Sequence, residues 1–322
     1  MKLQLSTIEH HKNFWDQKLG NRGWWARYVF HFTEIQNAVE ILKSDILLCR
    51  ANAVQTGAMR NDNASQDVIR NTKLAHMDFV RLYFRPRTPT QYNNEGIRPA
   101  AQRSMNSRCD VPIFFCFDVV EILTRDDVQF STGNLAAHGC PIGNTDDFFK
   151  SIPFDLVFHT GPFDQTQREI VFHRHAEVLI PKSLPLKPAL RFIACRSEAE
   201  RQTLLHLLPI PIRNNWNSLI RLDDGSMFER RWDYVERVVA LSGQNIISFS
   251  FNPNSTSKHT YTAKFTYQEL GSSQILRCEA RDFLCRNGLR VQMPKNANVG
   301  AVNLWLDESL AFCDNVLLED PF

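Results

Sequence analysis

Val171–Pro181 reads VFHRHAEVLIP. As a strand, it places Val171, His173, His175, Glu177 and Leu179 on one face. Phe172, Arg174, Ala176, Val178 and Ile180 take the other face, which is mostly apolar and is expected to meet a core. The His/His/Glu face then looks into polar space. Glu177 stands just ahead of the apolar VLIP. A carboxylate at the edge of a core is costly without a partner or a role. Two histidines and a carboxylate are also a metal-ligand set. One reading is therefore a metal site with His159 or His138 as a further ligand; the other is a carboxylate that acts without metal.

Upstream, Tyr28–Leu42 reads YVFHFTEIQNAVEIL, a strand running into a helix. Thr33 is the expected cap, and Ile35, Val39, Ile41 and Leu42 form the apolar stripe. His31, Phe32 and Thr33 sit at the mouth of this junction. A histidine nitrogen there can bond a ribose hydroxyl, and the backbone of Phe32 and Thr33 can grip an amide. The helix N-terminus favours a diphosphate. A buried structural histidine explains the same residues.

Asp78–Phe84 (DFVRLYF) reads as another strand, and RPRTPTQYNNEGIRP, with three prolines, as a loop. Arg81, Arg85 and Arg87 beside aromatic residues suit phosphates and stacked bases, or else line a solvated strand edge. VPIFFCFDVVEIL is a buried strand, FSTGNLAAHGCPIGN is turn-rich, and Ser197 with Glu200 forms a capping box for a helix.

The bulk properties are those of a globular chain. Its 322 residues are 43% hydrophobic and 22% charged, with a net charge of +2 that does not by itself argue for nucleic-acid binding. The 23 phenylalanines against 6 tyrosines favour a large apolar core over an aromatic surface. Eight cysteines include no C-x-x-C pair, against a structural zinc site. The polar opening, MKLQLSTIEHHKNFWDQ, is not expected to act as a signal peptide, and no apolar run has the length of a membrane span. A cytoplasmic protein with reduced thiols is expected. After about residue 212 the chain alternates apolar and polar residues between Asn/Pro/Ser turns, which predicts an all-β module of roughly 85–110 residues. Trp216, Trp232 and Trp305 are expected in its core.

In order and spacing, three segments together resemble the DarT family of DNA ADP-ribosyltransferase toxins. They are Y-x-F-H-F-T with its helix, D-F-V-x-x-Y-F-R-P-R-T-P, and A-E-V-L-I-P. The resemblance covers roughly residues 24–208. It implies an α+β fold: an ADP-ribosyltransferase-like split mixed β-sheet with an NAD cleft over residues 1–212, to which residues 213–322 add an all-β accessory module. It also implies that His31, Phe32 and Thr33 contact nicotinamide and ribose, that Leu48 forms part of the cofactor wall, and that Tyr83 and Phe84 line the cleft. Glu177 matches the catalytic glutamate, and Arg70, or alternatively Arg60, the family arginine. Arg81, Arg85, Arg87, His173 and His175 fall on the nucleic-acid side. Gln167–His175 would select the substrate, and the loop Arg85–Arg98 would grip the strand's backbone.

The implied reaction moves ADP-ribose from NAD to a base of single-stranded DNA without a metal. The implied partner is a macrodomain antitoxin that removes the modification, in a setting such as phage defence. The chemistry is self-consistent: nicotinamide departure leaves an oxocarbenium-like ribose, which a carboxylate stabilises. H-R-H-A ahead of the glutamate, the β-rich tail and the low net charge depart from the family pattern. An RNA-base ADP-ribosyltransferase, a metal-dependent oxygenase on His173, His175 and Glu177, and a silent NAD- or nucleic-acid-binding module therefore remain as alternatives.

Overall fold

PIFFCFD (Pro112–Asp118) is buried at every residue but the last, so both faces of this strand must be covered. The computed structural model, which describes residues 2–61, 74–99, 108–162, 164, 166–295 and 297–318, shows how. Its N-terminal part contains strands β1 (Tyr28–Glu34), β2 (Ile46–Leu48), β3 (Phe79–Tyr83), β4 (Pro112–Asp118), β5 (Gln129–Ser131), β6 (Ile142–Gly143), β7 (Glu177–Pro181), β8 (Ser183–Pro185), β9 (Leu190–Cys195) and β10 (Ile220–Leu222). All but β2 and β8, which pair with each other, belong to one sheet ordered β10-β9-β4-β1-β3-β7-β5-β6. The β9–β10 pair is parallel and the other neighbours are antiparallel, which makes the sheet mixed.

The sheet is unevenly knit. The β1–β4 register runs from Tyr28–Asp118 to Glu34–Pro112, whereas that of β1 and β3 joins Phe30 to Tyr83 alone. Beyond that pair the two strands share no register.

Local chemistry corrects several expectations. The helix Ile35–Ser44 is capped by Glu34, whose carboxylate accepts from Gln36 N at 2.7 Å. Thr33 is still in β1, and its hydroxyl accepts from Asn37 at 3.4 Å. The proline-rich stretch is not all loop: Pro89–Asn94 is a helix with Thr88 capping Gln91 N and Pro89 in its first turn, where a missing N–H costs nothing. Val171–Pro181 is not one strand. Arg168–His173 is helical, and β7 begins only at Glu177. Turn bonds from Arg174 N, His175 N and Ala176 N to the carbonyls of Ile170, Phe172 and His173 win over the alternation.

After residue 212 the chain first completes the N-terminal part. β10 extends the first sheet, and Met227 and Phe228 join the first core, with Phe228 packed on Phe114 at 5.3 Å. Two antiparallel sheets follow. One contains β11 (Val235–Leu241), β12 (Ile246–Phe251) and a later strand. The other is built on β13 (Tyr261–Glu269) and its edge neighbour β14 (Ile275–Phe283). β15 (Leu289–Gln292) completes the first, and β16 (Val299–Leu306) and β17 (Ser309–Leu317) complete the second. Alternating burial gives each an apolar face. Phe249 of one sheet meets Phe265 and Phe312 of the other at 6.1 and 5.8 Å, forming a second core. The tryptophans lie elsewhere. Trp216 is in the first core, donating to Leu42 O, and Trp232 and Trp305 are half-buried.

A buried charge network joins the two parts. Arg196 lies between Glu95 and Glu200, all three withdrawn from water, with its guanidinium 4.0 Å from the Tyr234 ring. Glu95 in turn accepts from Glu229 N and Arg230 N, both at 2.9 Å. Arg196→Leu would strand two buried carboxylates, a loss of about 3–5 kcal/mol. Urea unfolding of the full chain measures it, and a loss below about 1 kcal/mol would show the network to be marginal.

Candidate active site

The site is built where β3 and β7 run side by side, next to the single β1–β3 pair. In their register Tyr83 faces Glu177 and Arg81 faces Leu179, so Arg81 and Glu177 are diagonal neighbours on one face. Arg81 Nε lies 3.5 Å from Glu177 Oε2. Glu177 is 1% exposed. Its amide donates to Ser131 Oγ at 3.0 Å, and its Oε1 accepts from Leu135 N at 3.4 Å. Oε2 has no hydrogen-bond partner among the described residues. Burial pushes this carboxyl above its usual range, and Arg81 and the Leu135 amide only partly pull it back. Burial, and then Glu177, also raise the Tyr83 hydroxyl.

His31 reaches from β1 to β3. Its Nδ1 lies 3.1 Å from Arg81 O. A carbonyl can only accept, so Nδ1 carries the proton and Nε2 is left with its lone pair. Burial lowers this ring to about 4 despite that bond, so it is neutral at physiological pH. Phe32 packs on Phe114 at 5.3 Å and Leu48 pairs with Ser183 on β2–β8. Of the other expected cleft residues, Tyr83 is half-buried beside Glu177, but Phe84 is buried against Phe149 and Phe154 in the core.

The two histidines do not join Glu177 on a shared face. His173 Nδ1 donates to Thr132 O at 2.6 Å. His175 Nδ1 donates to Val171 O at 3.0 Å, and its Nε2 accepts from Thr90 Oγ1 at 3.1 Å. With both nitrogens engaged, His175 holds neighbouring segments together. Among the described residues no group of three or more His, Cys, Asp or Glu is placed to hold a metal ion.

The arginines also divide. Arg81 faces Glu177, whereas Arg85 is buried, donating to Pro86 O, Val157 O and His159 O and lying 5.3 Å from the Trp25 ring. No phosphate could displace those carbonyls without unmaking the fold. Arg87 donates to Gly225 O and Phe228 O. Arg60 is exposed, 3.4 Å from Glu40. Arg70 lies outside the described residues. Residues 166–169, ahead of the buried Ile170, are exposed.

Sequence reading marked FSTGNLAAHGCPIGN as turn-rich but gave the turn Ser131–Cys140 no part in the site. That turn supplies Ser131 and the Leu135 amide to Glu177, and Gly133 lies against Phe172, where a Cβ would come within 2.3 Å of the ring. The glycine was the available signal; a main-chain donor leaves none.

A sequence-family profile described as "DarT: ssDNA thymidine ADP-ribosyltransferase, DarT" matches residues 30–219, more than half of the chain. Among solved structures, Thermus sp. 2.9 DarT in complex with ADP-ribosylated ssDNA is similar at 16% identity. That match covers 61% of this chain and 92% of that one, with a TM-score of 0.48. The same Thermus protein in complex with NAD+ is similar at 15% identity, covering 61% and 95%, with a TM-score of 0.47. Thermosipho africanus DarTG in complex with ADP-ribose is similar at 18% identity, covering 66% and 53%, with a TM-score of 0.49. No curated protein matches.

The raised Glu177 carboxyl has a thermodynamic signature. Its folded-state pKa lies above its unfolded value, so ionisation weakens the fold as pH rises through the window between them. Glu177→Gln removes the charge and keeps the shape. It should raise Tm at about pH 8, with the gain shrinking as pH falls and vanishing below about pH 4, the unfolded carboxyl's range. Scanning fluorimetry across that range checks this, and a difference independent of pH would contradict it.

Proposed function

The chain belongs to the DarT family of single-stranded-DNA thymidine ADP-ribosyltransferases, and from that premise we propose that Glu177 is the carboxylate at the reacting ribose. The family's reaction moves ADP-ribose from NAD+ to thymidine in single-stranded DNA. The C–N bond to nicotinamide breaks, positive charge grows on the anomeric carbon, and a thymine nitrogen forms the new bond. An ionised Glu177 would stabilise that charge from the ribose side and receive the proton displaced from the base. Burial raises its pKa, in the direction that favours accepting a proton, and the nearby Arg81 guanidinium favours the ionised form.

NAD+ would enter where β1 and β3 share no register. His31 Nε2 would accept from a ribose hydroxyl, and the backbone of Phe32 and Thr33 would hold the nicotinamide amide. Tyr83 would wall the cleft together with Leu48. Arg70 keeps its proposed role at the diphosphate or target base, with Arg60 as the alternative. The exposed residues 166–169 would meet the DNA, and no step needs a metal ion. A macrodomain antitoxin that removes the modification is the expected partner, and the β-rich part after residue 212 an accessory module. Among the described residues no helix is long and apolar enough to cross a membrane, and all eight cysteines are free thiols. The free thiols fit a cytoplasmic setting.

The observation that carries this reading is Glu177, a carboxylate almost wholly withdrawn from water with one oxygen unbonded. Such a group is tolerated where function needs it. Glu177→Gln should lower transfer to a thymidine oligonucleotide by about a thousandfold or more while circular dichroism shows the fold intact. Full activity in that variant would sink the assignment. In wild-type protein transfer should survive exhaustive chelation, whereas loss with EDTA and rescue by one divalent ion would return the metal reading.

A further inference from the structure

Helix Pro89–Asn94 buries Gln91 and Asn94 but leaves Tyr92 45% exposed. The Arg231 guanidinium lies 4.1 Å from the Tyr92 ring centroid and 5.7 Å from that of Trp232. Behind Trp232, the buried Arg98 lies 5.2 Å from the indole. Among the described residues Arg231 has no carboxylate partner; its recorded side-chain neighbours are these two rings.

The group is held rigidly. Gly96, at φ +92°, leaves room for the Trp232 Cβ, which stands 2.7 Å from where a Gly96 Cβ would be. Ile97 N donates to Asp233 O at 3.0 Å, and the Arg231 carbonyl accepts from Thr256 N and Oγ1 at 2.9 and 3.0 Å.

An arginine held over a ring still has N–H groups to offer a phosphate. A tyrosine with an open face stacks a base of any identity. Side by side, the two offer what one nucleotide of a single strand requires. The position is also apt. Thr90, two residues before Tyr92, bonds His175, two residues before Glu177, and Arg174 donates to Arg87 O on the same loop. Tyr92 lies inside the span matched by the family profile, whereas Arg231 and Trp232 lie beyond it.

We propose that Tyr92 and Arg231, buttressed by Trp232 and Arg98, form a subsite for a nucleotide several positions along the strand from the target thymidine, so that the segment after residue 219 takes part in DNA binding. This rests on the family's single-stranded-DNA substrate. The test is anisotropy of fluorescent oligothymidylates of about five and about fifteen nucleotides with the full chain. The assay contains no NAD, so its outcome is independent of whether Glu177 is catalytic. Tyr92→Ala and Arg231→Glu should each weaken binding of the longer strand about tenfold, and that of the shorter by less than about twofold. Arg231→Glu should also reduce the salt slope by about 0.7, the share of one phosphate. Tyr92→Phe, which keeps the ring face, should bind the longer strand as wild type does. Unchanged affinity for the longer strand in Tyr92→Ala and Arg231→Glu, equal weakening at both lengths, or a wild-type preference for duplex over single strand would overturn the proposal.

Discussion

A carboxylate taken out of water destabilises a fold by several kcal/mol unless something answers its charge. Around Glu177 the answer comes from two separate pieces of chain, and their arrangement sets the geometry of the site. β3 must pair with β7 in the register that puts Arg81 on the diagonal. The turn after β5 must fold back so that Ser131 and Leu135 reach the strand's first residue. Gly133 must be small for that turn to close over Phe172. The same Arg81 offers its carbonyl to His31 on β1. One residue thus ties the carboxylate on β7 to the histidine on β1, and the cleft residues are positioned by a demand that is first of all electrostatic.

The parts of this arrangement that were legible in the sequence are those that depend on local pattern. The strand–helix junction at His31, the strand after Glu177, the Ser197 cap and the alternating strands of the C-terminal sheets all show in a short window. The errors share a cause: a window does not say which way a side chain turns or what main-chain group awaits it. His173 and His175 sit at strand-like spacing yet complete a helical turn with backbone carbonyls. Phe84 continues the cleft strand by one residue and falls into the core. The T-P of Thr88–Pro89, a legitimate helix start, was outweighed by the count of prolines.

Several of the arginines serve the fold rather than a nucleic-acid surface. Arg85, Arg87, Arg174 and Arg230 all donate to main-chain carbonyls, and Arg196 to buried carboxylates. Guanidinium groups serve here as multi-toothed clips between segments that lack regular pairing. Counting them as a surface field for nucleic acid misreads most of them. What remains for a single strand is a small number of positions, such as Arg231 over Tyr92 and Arg81 beside Glu177.

Those clips have a direction in sequence. Arg87 is held by the carbonyls of Gly225 and Phe228, Gln91 by that of Met227, and Glu95 by the amides of Glu229 and Arg230. The loop that supports His175 therefore finds its partners more than a hundred residues downstream. On a ribosome they do not exist until most of the chain has been made, and they emerge from the exit tunnel later still. A nascent chain long enough to contain His31, Arg81 and Glu177 still lacks the residues that hold Arg87, Gln91 and Glu95. The order of synthesis thus delays the bracing of this loop until its partners at residues 225–230 have been made.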